Sequence, residues 1–141
     1  MAKKKLKNGL LFVYGTLMKG FHERWQLDLG ASLIGPGSIK AKLYDFGEFP
    51  GATLARRVGQ DRVKGELYGL SDPDAALRKL DEYEEYFPAE PRRSLFVRRK
   101  VPVVLADGSR ETAWAYFYNR PVDEARPIPS GNYREKATAR V

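Results

Sequence analysis

The sequence predicts a mixed fold of short strands around one strong helix, on three observations. A continuous apolar run, Leu10-Leu11-Phe12-Val13-Tyr14, ends at Gly15 and reads as a buried first strand. Apolar residues at helical spacing follow Ser71-Asp72-Pro73-Asp74, a helix start with Ser71 available as N-cap, acids in the first turn and Pro73 where a missing N–H costs little. Two strand-like runs, 96–105 and 111–118, flank Ala106-Asp107-Gly108-Ser109, and Asp-Gly is a favoured hairpin turn.

The remaining elements follow in order. Residues 21–29 carry Trp25 and Leu29 at helical spacing before Gly30 and predict a short helix. Between 33 and 70, Gly and Pro separate extended pieces that read as a meander: Ala41-Lys42-Leu43-Tyr44, Thr53-Leu54-Ala55-Arg56 and Val63-Lys64-Gly65-Glu66-Leu67-Tyr68. Gly35-Pro36-Gly37 reads as a turn. The main helix is expected to reach Tyr83 or Glu85, and Pro88 and Pro91 end any continuation. The tail from Pro121 has little periodicity and is expected to wrap the surface.

With 141 residues, 43% hydrophobic content and 12% aromatics, one domain over 9–141 is expected, preceded by a basic, flexible tail over 1–8. There is no cysteine, which removes disulfides, thiol nucleophiles and thiolate metal sites. The apolar stretch 10–13 is too short for a signal core or a membrane span, so a cytoplasmic protein is expected. The net charge of +7 invites a nucleic-acid reading, but four lysines lie in the first seven residues. The cluster Arg92, Arg93, Arg98, Arg99 and Lys100 reads as a solvated face. Tyr44, Phe46, Phe49, Tyr68, Trp114, Tyr116 and Tyr118 mostly sit on apolar strand patterns, which favours core packing over base stacking.

Of the acids Asp81, Glu82, Glu84 and Glu85, helical geometry aims Glu84 along the stripe of Leu77 and Leu80, points Glu82 away, and sends Asp81 and Glu85 to the sides. If the helix continues, Glu84 is a buried carboxylate whose pKa rises towards the range that suits a general base, with the neighbouring acids pushing the same way. If it frays after Tyr83, Glu84 joins a solvated acidic patch. At the end of the first strand, Tyr14-Gly15-Thr16-Leu17 presents successive N–H groups at a tight turn, a device that holds a carboxylate without an arginine.

These segments, with Phe49-Pro50-Gly51-Ala52, Ala115-Tyr116-Phe117-Tyr118, Asn119-Arg120-Pro121-Val122-Asp123 and Ser130-Gly131-Asn132-Tyr133, resemble the γ-glutamylcyclotransferase-like, or AIG2-like, family in order and spacing over residues 9–135. The resemblance implies a compact α+β fold around a mixed β-barrel with one main helix and short flanking helices. It implies conversion of a γ-glutamyl amino acid or amine to 5-oxoproline with release of the amine and no cofactor or metal. Glu84 would be the general acid/base, the backbone of Gly15, Thr16 and Leu17 beside Tyr14 would hold the substrate α-carboxylate, and Tyr118 would line the pocket. The chain departs from the pattern at Glu85, where many active relatives have glycine. A second carboxylate there would raise the pKa of the base further or repel an anionic ligand.

His22, the sole histidine, cannot build a histidine metal site and reads as a surface residue. A Ser-His-Asp site lacks a G-x-S-x-G elbow. The alternatives to an enzyme with a small-molecule γ-glutamyl substrate are a noncatalytic binder of small carboxylates with the same fold and, less favoured, a basic nucleic-acid-binding module. Nothing in the sequence speaks to oligomeric state.

Overall fold

A computed structural model describes residues 9–15, 25, 28–47, 49–54, 61–122 and 125–134. Five strands close into a barrel: β1 (Leu10–Val13), β2 (Ala31–Lys40), β5 (Arg62–Leu70), β6 (Phe96–Leu105) and β7 (Arg110–Tyr118), in the order β1-β5-β2-β6-β7. Neighbouring strands are antiparallel except at the closure, where β1 meets β7 in parallel with Leu11 opposite Trp114. A smaller sheet places β3 (Lys42–Asp45) between β4 (Pro50–Thr53) and β8 (Arg126–Pro127). The expected mixed barrel with one main helix is the fold observed.

The core explains the continuous apolar run of β1. All four of its residues are buried, and Leu11 and Phe12 join Ile39, Val63, Leu67, Tyr68 and Val103 among the largest fully buried side chains. A strand covered on both faces has no reason to alternate. β5 alternates more, with exposed Lys64 and half-buried Glu66 set between buried Val63, Gly65 and Leu67.

Three local expectations need correction. Gly35-Pro36-Gly37 is not a turn but lies inside the ten-residue β2, opposite Leu67, Glu66 and Gly65. A bulge between Leu33 and Gly35 precedes it, and β2 pairs with β6 only at Gly37 and Ser38, so Pro36 withholds its N–H where no β6 partner stands. The strand expected at 53–56 is instead β4 at Pro50–Thr53. The helix, α1 (Pro73–Tyr83), is capped not by Ser71 but by Asp72, whose carboxylate accepts from the Ala75 N–H at 3.4 Å, with Pro73 opening the first turn. The short helix expected at 21–29 lies mostly outside the described residues; Trp25 and Asp28 are helical, and the Leu29 N–H donates to the Trp25 carbonyl at 2.9 Å.

The C-terminal end of α1 sets the direction of everything after it. The Tyr86 N–H donates to the Asp81 carbonyl at 2.8 Å and the Glu85 N–H to the Glu82 carbonyl at 3.2 Å, the paired bonds of a Schellman motif. That motif requires a left-handed residue just past the cap, and Glu85 fills it with φ +55°. Glycine adopts this conformation freely, whereas a residue with a Cβ pays roughly 1 kcal/mol or more. The Glu85 carbonyl then accepts from the Leu95 N–H at 3.0 Å, so the chain folds back towards β6 at once. The expected hairpin is present: β6 and β7 pair from Phe96–Tyr118 to Val104–Arg110, and Gly108 has φ +88° in the connecting turn.

The strained cap yields a stability prediction. Glu85→Gly is expected to raise the unfolding free energy by about 0.5–1 kcal/mol, measured by urea denaturation. An unchanged or lower midpoint would contradict the left-handed assignment.

Candidate active site

The end of β1, the start of β4, the end of α1 and the start of β6 converge on a pocket of about 300 Å³. From β1 come Phe12 and Val13, followed directly by Tyr14 and Gly15; Phe49 and Pro50 stand at the start of β4. The end of α1 supplies Tyr83, Glu84 and Glu85, while Leu95, Phe96 and Tyr116 close the other side. The strand-end segment and the helical glutamate therefore share one cavity.

Tyr14 is fixed as a bolt between strands. Its hydroxyl donates to the Tyr116 carbonyl at 2.7 Å and accepts from the Ala52 N–H at 3.0 Å, tying the end of β1 to β7 and β4. Burial holds its pKa well above the usual phenol value, and the nearby Glu84 charge adds to that. The hydroxyl is thus engaged in the scaffold while the residue lines the pocket. Gly15 is required for space: a Cβ there would stand 2.6 Å from Pro50 Cγ, so the glycine lets the two walls approach. Thr16 and Leu17, the rest of the expected anion loop, lie outside the described residues, as does His22.

Glu84 is the cap residue of α1, with φ −87° and ψ 1°, close enough to helical geometry that its side chain keeps the direction of the leucine stripe. It lines the pocket among apolar side chains, and no described residue hydrogen-bonds or ion-pairs with its carboxyl. Burial raises its pKa from 4.5 to about 7. Desolvation is the cause of that rise.

Asp81 and Arg98 were not legible as site residues. Asp81 does not fall to the side but is buried, and its carboxylate takes both Nε and a terminal nitrogen of Arg98, at 2.9 and 3.1 Å, together with the Tyr116 hydroxyl at 2.6 Å. Burial alone would lower the Arg98 pKa, but the Asp81 carboxylate carries it upwards. Arg98 is accordingly no member of a solvated basic face; its guanidinium stacks 4.4 Å from the Trp114 ring centre. This tie fastens the last turn of α1 to β6 and β7, and Tyr116 is also a pocket wall.

The loop after Glu84 is held as firmly. The buried Ser94 hydroxyl accepts from the Phe87 N–H at 2.8 Å, and the Asn119 amide donates to the Pro91 and Ser94 carbonyls, both at 3.0 Å. Arg120 adds donors to the Arg93 and Ser94 carbonyls at 3.0 and 2.8 Å. Tyr118 is not among the lining residues; its ring packs 4.0 Å from Phe46 and edge-on to Phe96 at 5.6 Å, behind the wall that Phe49 and Phe96 form. Among the described residues no group of metal-ligating side chains gathers, and no helix is long and apolar enough to cross a membrane.

The raised carboxyl of Glu84 has a definite linkage sign. The unfolded chain ionises near 4.5 and the folded one near 7, so between these values the folded state holds more protons and stability falls as pH rises. Glu84→Gln is therefore expected to gain about 2–3 kcal/mol relative to the parent on going from pH 4.5 to pH 8, read from denaturant midpoints. A pH-independent difference would contradict the buried carboxyl.

A family model described as gamma-glutamyl cyclotransferase, AIG2-like, matches residues 11–135. The chain is 36% identical over 111 residues to the gamma-L-glutamyl-butirosin B gamma-glutamyl cyclotransferase of Niallia circulans, covering 78% of this chain and 67% of that one. It is 31% identical over 128 residues to the gamma-glutamylcyclotransferase family protein YtfP of Escherichia coli K12, covering 89% and 96%. The crystal structure of YkqA from Bacillus subtilis superposes with a TM-score of 0.70 at 25% identity over 94% of this chain, which spans 42% of the YkqA chain. With the barrel, the glutamate-bearing helix end and the family match agreeing along nearly the whole sequence, the chain belongs to the gamma-glutamyl cyclotransferase, AIG2-like family.

Proposed function

We propose that the protein is a cofactor-independent cyclotransferase that converts a γ-glutamyl amine or amino acid to 5-oxoproline, with Glu84 as general acid/base. The observation that carries this reading is the Glu84 carboxyl, free of described partners and raised to about 7, in the wall of the pocket that the β1 end also lines. The names of the Niallia circulans and Escherichia coli relatives support the same reaction class.

The reaction needs little beyond shape and one proton carrier. Ionised Glu84 takes a proton from the substrate α-ammonium; the freed amine attacks the γ-carbonyl carbon, forming the ring C–N bond. Protonated Glu84 then gives that proton to the departing nitrogen as the exocyclic C–N bond breaks, and the second proton of the attacking nitrogen passes to the released amine, which leaves as an ammonium, so the carboxyl returns to its starting state. A carboxyl with a pKa near 7 accepts and returns a proton at neutral pH at comparable cost, which one near 4.5 does not. Because nucleophile and electrophile belong to one molecule, the pocket acts mainly by folding the glutamyl chain into the cyclising shape. The amides of Gly15, Thr16 and Leu17 would take the α-carboxylate, Tyr14 would fix that segment, and Tyr118 would act through the Phe49 and Phe96 wall.

The test supplies a panel of γ-glutamyl amino acids and amines and measures 5-oxoproline by mass spectrometry. Glu84→Gln is expected to lose at least about a hundredfold in turnover while the outward Glu82→Gln keeps it. The kcat/KM profile is expected to fall on the acid side with a midpoint near 7, where Glu84 protonates. Equal losses in the two variants would sink the assignment.

A further inference from the structure

Among its described lining residues the pocket carries charge of one sign only. Of its described lining residues, Glu84 and Glu85 carry carboxylates and none is Lys, Arg or His. Glu85 is exposed beside the deeper Glu84, its backbone pinned by the bond from the Leu95 N–H and turned by its left-handed φ. Tyr83, 60% exposed and two residues before it, also lines the pocket.

This arrangement bears on the leaving group. Glu84 must reach the departing nitrogen to protonate it, so whatever that nitrogen carries extends from Glu84 towards the exposed side of the pocket, past Glu85 and Tyr83. A carboxylate on that group would meet a like charge with no described cation in the lining to offset it. An ammonium or guanidinium would meet an acceptor in Glu85 and an aromatic ring in Tyr83.

We propose that Glu85 is a specificity-determining residue that selects leaving amines bearing an additional positive charge over those bearing a carboxylate. The proposal rests on the cyclotransferase reading of the pocket. It also gives a role to a residue that occupies a backbone conformation where glycine is easier.

The test compares three substrates of nearly equal length: the γ-glutamyl amides of 1,5-diaminopentane, pentylamine and 5-aminopentanoic acid, cationic, neutral and anionic at the far end. The parent protein is expected to turn over the cationic amide with the highest kcat/KM and the anionic amide with the lowest. For an exposed charge the span between them is roughly three- to tenfold at low ionic strength. The span should narrow as salt is added. Glu85→Gln and Glu85→Gly, the second of which suits the left-handed position, should both bring the cationic-to-anionic ratio towards unity, and Glu82→Gln should leave it unchanged. Equal turnover of the three amides by the parent, or a ratio that survives both Glu85 variants, overturns the selection while the cyclotransferase reading stands. No 5-oxoproline from any of the three removes both.

Discussion

The ion pair of buried Asp81 with half-buried Arg98, shared with the Tyr116 hydroxyl, is the interaction on which the site depends. A helix ending on a barrel surface has its last turn free to fray, since the final carbonyls lack partners within the helix. Here Asp81, in that last turn, is locked in two-point contact with β6 and by a third bond to β7. Replacing Arg98 would leave the buried Asp81 carboxylate without its cation, at a cost of roughly 1–3 kcal/mol. The helix end is therefore seated by chemistry that tolerates no half measure, and three residues later Glu84 inherits that position.

Two opposed demands meet at that helix end. A proton carrier must be kept out of water for its pKa to climb, yet it must remain reachable by a ligand. The apolar walls from β1, β4 and β6 provide the first condition, and the abrupt turn at Glu85 provides the second by ending the helix before its side chains are covered further. The loop clamp from Asn119 and Arg120 keeps the returning chain close, so the wall at Leu95 and Phe96 stays in place without a long helix to support it. The strain at Glu85 and the desolvation of Glu84 both subtract from stability, and the dense barrel core offsets them.

Much of this was legible in the sequence wherever the signal was local. The apolar run of β1, the Asp107-Gly108 turn and the direction of Glu84 each rest on a few consecutive residues. Asp81 reads as side-facing because it lies at the edge of the apolar stripe, four residues after Leu77, and what decides its burial is Arg98, seventeen positions away on another element. Arg98 in turn sat in a basic run that composition alone assigns to solvent. Gly35-Pro36-Gly37 reads as a break in β2 because proline and glycine are strong turn signals, and only the bulge and the short pairing with β6 make them acceptable in a strand. The anomaly at Glu85 was visible as a departure from the family pattern, but its meaning came from the backbone angle.

In this structure a single carboxyl holds its proton up to neutral pH because apolar walls enclose it. A carbon-13 NMR titration of the glutamate side-chain carboxyls, with the Glu84 resonance assigned by its loss in Glu84→Gln, measures this without any substrate. A midpoint near 7 is expected for that one signal. A midpoint near the ordinary 4.5 would place the carboxyl in water and contradict it.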